Sequence, residues 1–194
     1  MVDVMFDLLK IANKTDIYDY FHYFSDSCYL IKTIDEFYNF FTKNNKKSYI
    51  SYFLEENLYK NQSFLLYKAS QWMSLHRNIV NKLLDNIDLF YKYKEEIKNK
   101  TILILRGAPD EFIIQHIIIN DICNRKPQEY NIIKNNLRFI RWRDDKGYVP
   151  NYLDMDNVSE EEIQNIKKQN YLIIRKIDYH NYKSIDLVNR LKGN

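Results

Sequence analysis

The chain has 194 residues, of which 45% are hydrophobic, 15% aromatic and 28% charged, and its net charge is +3. This composition can supply a sizeable core, and it excludes a disordered chain or a histone-like polycation. Only 3 glycines and 3 prolines are present, so we expect helices with short connections rather than the turn-rich pattern of a β-sandwich.

The cysteines and the N-terminal residues indicate the cellular location of the protein. Cys28 and Cys123 are too few for a secreted disulfide scaffold and lie beside apolar residues, so we expect free, buried thiols. The first residues lack the basic start of a signal peptide, and no apolar run reaches the roughly 18–20 residues that span a bilayer. We therefore predict a soluble cytoplasmic protein that makes no contact with a membrane.

The first hundred residues contain neither glycine nor proline, which favours helices. Residues 2–12 place apolar side chains on a wide helical face, and Thr33 with Glu36 can form a capping box before a second helix. Apolar residues at helical spacing predict further helices over residues 16–24, 49–59, 63–84 and 86–98. We predict a helical, aromatic-rich region over residues 1–100.

The second half follows a different pattern. Its predicted elements, in order, are a strand at 101–105, a helix at 112–123, strands at 137–143 and 148–153, a helix at 160–169, a strand at 171–177 and a helix at 182–191. Residues 144–147 have the chemistry of a tight turn and would make the middle strands a hairpin. Ser159 with Glu162 can cap the helix that follows. The isoleucine-rich run 112–123 could instead be a strand that pairs with residues 101–105.

This order of elements decides the predicted fold class. Strand, helix, strand, strand, helix, strand is the order of a ferredoxin-like domain. We predict an α+β protein with a helical region over residues 1–100 and a ferredoxin-like region with an antiparallel sheet over residues 101–194. The two regions could also pack as one compact unit.

A basic, aromatic stretch precedes the predicted turn. Between residues 125 and 143, six basic residues stand against the single acid Glu129. Arginine beside an aromatic ring on an open sheet can hold phosphates and stack bases. We therefore predict a non-enzymatic protein that binds RNA or single-stranded DNA. The predicted contact residues are Lys134, Arg138, Phe139, Arg141, Trp142, Arg143 and Tyr148.

An acidic block adjoins the basic one, with seven acids against Lys146 between residues 144 and 162. These acids could pair with the arginines and make the hairpin purely structural, or the two blocks could form a dipolar surface for a protein partner. The alternative function is thus a protein–protein interaction module, such as a phage or viral factor or a self-associating subunit. Abundant Asn, Lys, Ile and Tyr, which have AT-rich codons, indicate an AT-rich genome.

No catalytic motif is visible in the sequence. His22, His76 and His116 lie in amphipathic or apolar runs that are typical of packed histidines. Residues 106–110 lack the Gly-Lys-Ser/Thr of a P-loop, and Asp110 and Glu111 would repel a phosphate. A third hypothesis is an enzyme whose residues converge only in the folded protein.

Metal binding has one candidate, the pair Asp154 and Asp156. The spacing of these two acids occurs in sites for hard cations, but two carboxylates alone leave such an ion with too few ligands. We expect neither a metal nor a cofactor.

Overall fold

The structure is a computed structural model that describes residues 2–44, 46–55, 66–98, 109–142 and 150–193. Its α-helices are Val2–Ala12 (α1), Ile34–Lys43 (α2), Arg77–Asp85 (α3), Ile87–Lys98 (α4), Ile113–His116 (α5), Glu160–Lys168 (α6) and Tyr182–Lys192 (α7). Its strands are Tyr20–His22 (β1), Cys28–Leu30 (β2), Ser48–Tyr49 (β3), Tyr52–Glu55 (β4), Leu66–Ala69 (β5), Ser74–His76 (β6), Ile132–Ile133 (β7), Arg138–Ile140 (β8) and Ile173–Arg175 (β9).

Three further helical pieces that are not α-helices complete the described elements. Pro109–Glu111 and Pro127–Tyr130 are 3₁₀-helices, and the π-helix Ile117–Ile122 continues α5. Helices and mixed sheets together confirm the predicted α+β class. Among the described helices, none combines the length and the apolar character that crossing a bilayer requires.

Two compact units divide the chain, and each is assembled from segments that are distant in sequence. The first unit contains Met1–Tyr23 and Asn45–Asn136, and the second contains Phe24–Asn44 and Leu137–Asn194. The predicted boundary at residue 100 falls within residues 99–108, which lie outside the described part of the chain. That boundary therefore stays a prediction.

The first unit is built on a four-stranded sheet in the order β1-β6-β3-β7. Strands β1 and β3 run antiparallel to β6, and β7 runs parallel to β3. Strands β4 and β5 form a separate antiparallel ribbon. One core joins the sheet to α1, α3, α4 and α5, because α1, α3 and α4 each bury apolar side chains on one face and all four residues of α5 are buried. In α1 that stripe is Val2, Met5, Phe6 and Leu9.

The second unit contains a three-stranded sheet in the order β2-β9-β8. Strand β2 is antiparallel to β9, and β8 is parallel to it. Helices α6 and α7 contribute to the core of this unit through Ile163, Ile166, Leu187, Val188 and Leu191. This core is separate from that of the first unit.

Several predicted elements are confirmed, and most depend on local contacts. Thr33 caps α2 by accepting a hydrogen bond from the backbone N–H of Glu36, and the Glu36 carboxylate accepts one from the backbone N–H of Thr33. Ser159 accepts from the third residue of α6 in the same way, and Gly193 ends α7 with a φ of 88°. The run 112–123 is helical beyond residue 112, so the alternative strand at this position is wrong.

The predicted helices over residues 16–24, 49–59 and 63–84 are largely wrong. Among the described residues of these segments are strands β1, β3, β4, β5 and β6, and α3 at the end of the third segment is the one helix found there. The absence of glycine and proline removes helix breakers, but it does not favour a helix over a strand. Tyr, Phe and Ile suit strands at least as well as helices, so these aromatic segments pair in sheets.

The ferredoxin-like arrangement is not confirmed. Strand β9 lies between β8, which is parallel to it, and β2, which comes from the first half of the chain. The predicted strand at 101–105 and the predicted turn at 144–147 lie outside the described residues. Trp142 and Pro150 form an antiparallel bridge, and Asn151 N–H donates to Arg141 O at 2.8 Å. The alternation of apolar residues predicts where a strand lies. Which distant strand it pairs with depends on the faces that are buried in the folded unit.

Candidate functional site

The seven residues predicted to bind nucleic acid are spread over the chain. Lys134 belongs to the first unit, whereas Arg143 and Tyr148 lie outside the described residues. The second unit contains the other four, Arg138, Phe139, Arg141 and Trp142. The structure therefore does not bring the described members of this set together within one unit.

Arg138 is an interior residue of the second unit. Its exposed fraction is 4%, and its guanidinium carbon lies 5.4 Å from the centre of the Phe24 ring. Burial lowers the pKa of Arg138 to about 10, although the neighbouring Cys28 opposes this shift. A guanidinium this deeply buried cannot reach the phosphates of a nucleic acid.

Arg141 uses its guanidinium within the second unit. Its Nε donates to Glu162 Oε1 at 3.1 Å, its Nη1 donates to Asn157 O at 2.8 Å, and Arg141 and Glu162 form an ion pair. Glu162 belongs to the acidic block between residues 144 and 162. This ion pair therefore agrees with the alternative in which the acids of that block pair with the arginines. The ring of Phe139, which is half-buried, packs edge-on against Tyr171.

The remaining two described residues of the set are exposed. Lys134 places its ammonium 5.2 Å from the ring centre of Tyr52 in the first unit. Trp142 keeps 41% of its surface exposed in the second unit. Of the predicted aromatic residues that the structure describes, Trp142 is the more accessible to a ligand.

A second group of polar contacts lies in the first unit, where the loop after β5 meets the 3₁₀-turn Pro109–Glu111. Gln115 is fully buried, and its Nε2 donates to Ser70 O at 3.1 Å and to Asp110 O at 2.9 Å. Asn136 Nδ2 donates to Ser70 Oγ at 3.3 Å. Side chains distant in sequence therefore hold this loop and this turn together.

Glu111 is the carboxylate at the end of the turn. Its Oε2 lies 3.6 Å from Lys68 Nζ, and the two side chains are 36% and 27% exposed. The same ammonium lies 5.4 Å from the centre of the Phe112 ring, which limits its hydration and favours its attraction to Glu111. The result is a carboxylate that is oriented by a cation and can still be reached from solvent.

His116 anchors the interior behind this turn. Its Nδ1 accepts a hydrogen bond from the backbone N–H of Tyr67 at 3.3 Å, which ties α5 to β5. Tyr93 packs edge-on against the His116 ring and donates from its hydroxyl to Asp121 at 3.1 Å. Burial lowers the pKa of His116 to about 4, so the imidazole is neutral at pH 7.

The candidate metal ligands of the second unit are engaged in the loop that carries them. Asp154 Oδ1 accepts from the backbone N–H groups of Asp156 and Asn157, and Asp156 Oδ2 pairs with Lys183 Nζ at 2.6 Å. Across the described ranges, no group of three His, Cys, Asp or Glu side chains is placed to hold a metal ion. In the first unit, burial raises the pKa of the Cys123 thiol to about 12, which makes it a poor nucleophile.

Sequence reasoning does not find the group around Glu111. The acids of residues 109–111 indicate only the start of a helix that would repel phosphate. No other local pattern points to a site at Glu111. Lys68, Ser70 and Gln115, which give the carboxylate its setting, carry no shared motif with it. Their convergence depends on the packing of β5 against α5.

One family comparison adds to this geometry. The model of the family described as Branch: Core-2/I-Branching enzyme matches residues 49–167, a range that includes Lys68, Glu111 and Gln115. A search of curated proteins found no match. This family is one of glycosyltransferases, so the prediction of a non-enzymatic nucleic-acid-binding protein is wrong. The match also conflicts with the predicted viral or phage factor. Because the matched range exceeds half of the 194 residues, the chain belongs to the Core-2/I-branching enzyme family.

Proposed function

We propose that the chain is a glycosyltransferase that adds a branching sugar to an acceptor glycan, with Glu111 as its general base. Membership of the branching-enzyme family supports the reaction class. The observation that carries the residue assignment is the position of Glu111, half-exposed beside Lys68 on a turn that Gln115 holds.

The reaction requires a base at the acceptor hydroxyl. A bond forms between the hydroxyl oxygen and the anomeric carbon of the donor sugar, while the bond from that carbon to the leaving group breaks. The leaving group, such as the diphosphate of a nucleotide sugar, departs with the electron pair. A hydroxyl is a weak nucleophile, so a carboxylate within hydrogen-bond reach accelerates the transfer by accepting its proton. In this proposal the proton goes to Glu111.

Three other described carboxylates in the matched range are more tightly bound to structural partners. Asp121 accepts from the Tyr93 hydroxyl, Glu162 pairs with Arg141, and Asp154 accepts backbone N–H groups of its own loop. The Glu111–Lys68 distance of 3.6 Å exceeds a direct hydrogen bond. The cation therefore orients Glu111 while leaving its oxygens able to accept a proton.

Trp142 is a candidate for contact with a sugar ring. It lies in the matched range with 41% of its surface exposed. Sugars present flat C–H faces that pack against aromatic rings, and the indole N–H can donate to a hydroxyl. We therefore include Trp142 in the proposal as a sugar-contacting residue of the second unit.

The test compares two Glu→Gln variants on short helical turns. Glu111→Gln removes the proposed base and is expected to lower kcat by about 100-fold or more. Glu129→Gln makes the same change on the turn Pro127–Tyr130, where Glu129 is 57% exposed and pairs with Lys126. This control is expected to keep kcat within about twofold of the unchanged chain.

Activity would be measured as nucleotide release and product mass with a panel of UDP-, GDP- and CMP-linked sugars and oligosaccharide acceptors. No transfer by the unchanged chain with any donor would contradict the reaction class. An active chain whose Glu111→Gln variant keeps more than about a tenth of kcat would contradict the assignment of the base.

Location and partners remain proposals. We propose a cytoplasmic location, which cell fractionation would test.

Self-association or a protein partner is favoured by the exposed face of α1, where Val4, Leu8 and Ile11 are 58%, 55% and 63% exposed. Light scattering of the purified chain measures self-association.

A further inference from the structure

We propose that Gln115 is the positioning residue for the Glu111 carboxylate and acts through the two carbonyl groups that its amide binds. This inference rests on the proposed function of Glu111. Gln115 is fully buried, so it acts on the turn and not on a substrate.

The amide of Gln115 joins two pieces of backbone. Its Nε2 donates to Ser70 O at 3.1 Å and to Asp110 O at 2.9 Å. Both acceptors are carbonyl oxygens, so the NH₂ end of the amide, which has two hydrogens, must face them. The Asp110 carbonyl belongs to the peptide bond that leads into Glu111. The second hydrogen bond therefore fixes the peptide plane from which the Glu111 side chain starts.

The first hydrogen bond reaches the segment that carries the partner of Glu111. Ser70 follows β5, and Lys68, whose ammonium lies 3.6 Å from the Glu111 carboxylate, is within that strand. One side chain thus holds both the turn of Glu111 and the segment of Lys68. The separation of the acid from its cation depends on this double attachment.

The turn needs such an attachment because it is short. Pro109–Glu111 is one turn of 3₁₀-helix, which has poorer hydrogen-bond geometry than an α-helix. Within it, Phe112 N–H donates to Pro109 O at 3.3 Å. This local bond closes the turn, but it does not attach the turn to the segment that carries Lys68.

The chemical character of Gln115 also points to a positioning role. Its neighbours Ile113, Ile114, Ile117 and Ile118 are buried apolar residues, and an apolar side chain would suit this core. Burying an amide costs free energy unless its groups are hydrogen-bonded. Gln115 Oε1 is buried without a hydrogen-bond partner among the described residues. The two bonds from Nε2 are therefore the structural reason for a glutamine at this position.

The test uses Gln115→Met, which keeps the length of the side chain and removes both hydrogen bonds. The control is Ser48→Ala, which removes the buried bond from His76 N–H to Ser48 Oγ at 2.9 Å in the same unit. Both variants should lower the melting temperature. Only Gln115→Met should lower kcat, by about 10- to 100-fold, while KM for the donor stays within about twofold.

Two further measurements separate positioning from a loss of stability. Hydrogen exchange of residues 109–116 should become faster in Gln115→Met and stay unchanged in Ser48→Ala. In the Glu111→Gln background, Gln115→Met should lower kcat by less than about twofold, because its effect passes through Glu111.

The outcomes are distinct for the two proposals. If the unchanged chain transfers no sugar, the proposed function fails, and the exchange of residues 109–116 still tests whether Gln115 holds the turn. The positioning role is overturned if Gln115→Met keeps its kcat, if it lowers kcat equally with and without Glu111, or if exchange in residues 109–116 does not change.

Discussion

At the residue scale, burial and pairing decide what the basic side chains can do. Arg138 is 4% exposed, and Arg141 donates to Glu162 and to Asn157 O. A guanidinium has five N–H donors, and intramolecular acceptors that use them leave fewer for a ligand. The sequence shows that arginines alternate with aromatic residues on a strand. It does not show which face of that strand is covered, because the covering residues come from other segments.

The burial of His116 predicts that the free energy of unfolding decreases as the pH falls. Burial holds its folded-state pKa at about 4, below the ordinary value of about 6.5. Between these values the unfolded chain binds more protons than the folded one, so the free energy of unfolding decreases as the pH falls from about 6.5 to 4. Above this window the group has no effect. The loss by pH 4.5 is expected to be about 2–3 kcal/mol.

The measurement is urea unfolding at about pH 7.5 and 4.5 for the unchanged chain and for His116→Asn. Asparagine keeps an acceptor for the backbone N–H of Tyr67 but does not titrate. Asp121 raises and Arg125 lowers the His116 pKa, and both remain in the variant, so they do not account for the difference. Equal pH dependence in the two proteins would contradict the prediction.

At the element scale, contacts between near neighbours in sequence were predictable and distant pairings were not. The capping residues Thr33 and Ser159 each bind a backbone N–H three positions ahead, so the sequence alone specifies them. Strand β9 instead pairs with β2 and β8, and its pairing is set by which faces are buried. The candidate site follows the same rule. The acidic turn is visible in the sequence, but its partners Lys68 and Gln115 are not.

The cap of α2 provides the element-scale prediction. Thr33→Ala removes the acceptor for Glu36 N–H and should lower the free energy of unfolding by about 1 kcal/mol. Thr42→Ala in the same helix is the control, because the Thr42 hydroxyl donates back to Tyr38 O and Asn39 O and does not cap the helix N-terminus. Its effect should stay below about 0.5 kcal/mol, since such back-bonding does not stabilise a helix. Urea unfolding measures both, and equal losses would contradict a specific role for the cap.

At the scale of the whole molecule, sequence order and spatial organisation differ. Each unit combines an early segment with a later one, and each has its own core. The family match, residues 49–167, includes residues from both units. A pattern read along the chain predicts a boundary where the composition changes, near residue 100. Such a pattern does not show that the chain leaves the first unit after residue 23 and enters it again at residue 45.

Two core substitutions distinguish these organisations. Leu83 and Leu187 are both fully buried, the first in the core of the first unit and the second in that of the second. Replacing either by alanine should lower the free energy of unfolding by roughly 2–5 kcal/mol, because each leaves a cavity. Local opening should then become more frequent throughout the unit that carries the change. Hydrogen exchange, resolved by peptide, measures this opening.

The informative peptides are residues 28–43 and 112–123, because the two organisations assign them oppositely. The structure predicts that Leu187→Ala speeds exchange in 28–43 and that Leu83→Ala speeds it in 112–123, since these peptides belong to the respective units. A boundary at residue 100 predicts the reverse, with 28–43 following Leu83→Ala and 112–123 following Leu187→Ala. Exchange that rises equally in both peptides for each variant would instead mean that the chain opens as one cooperative body.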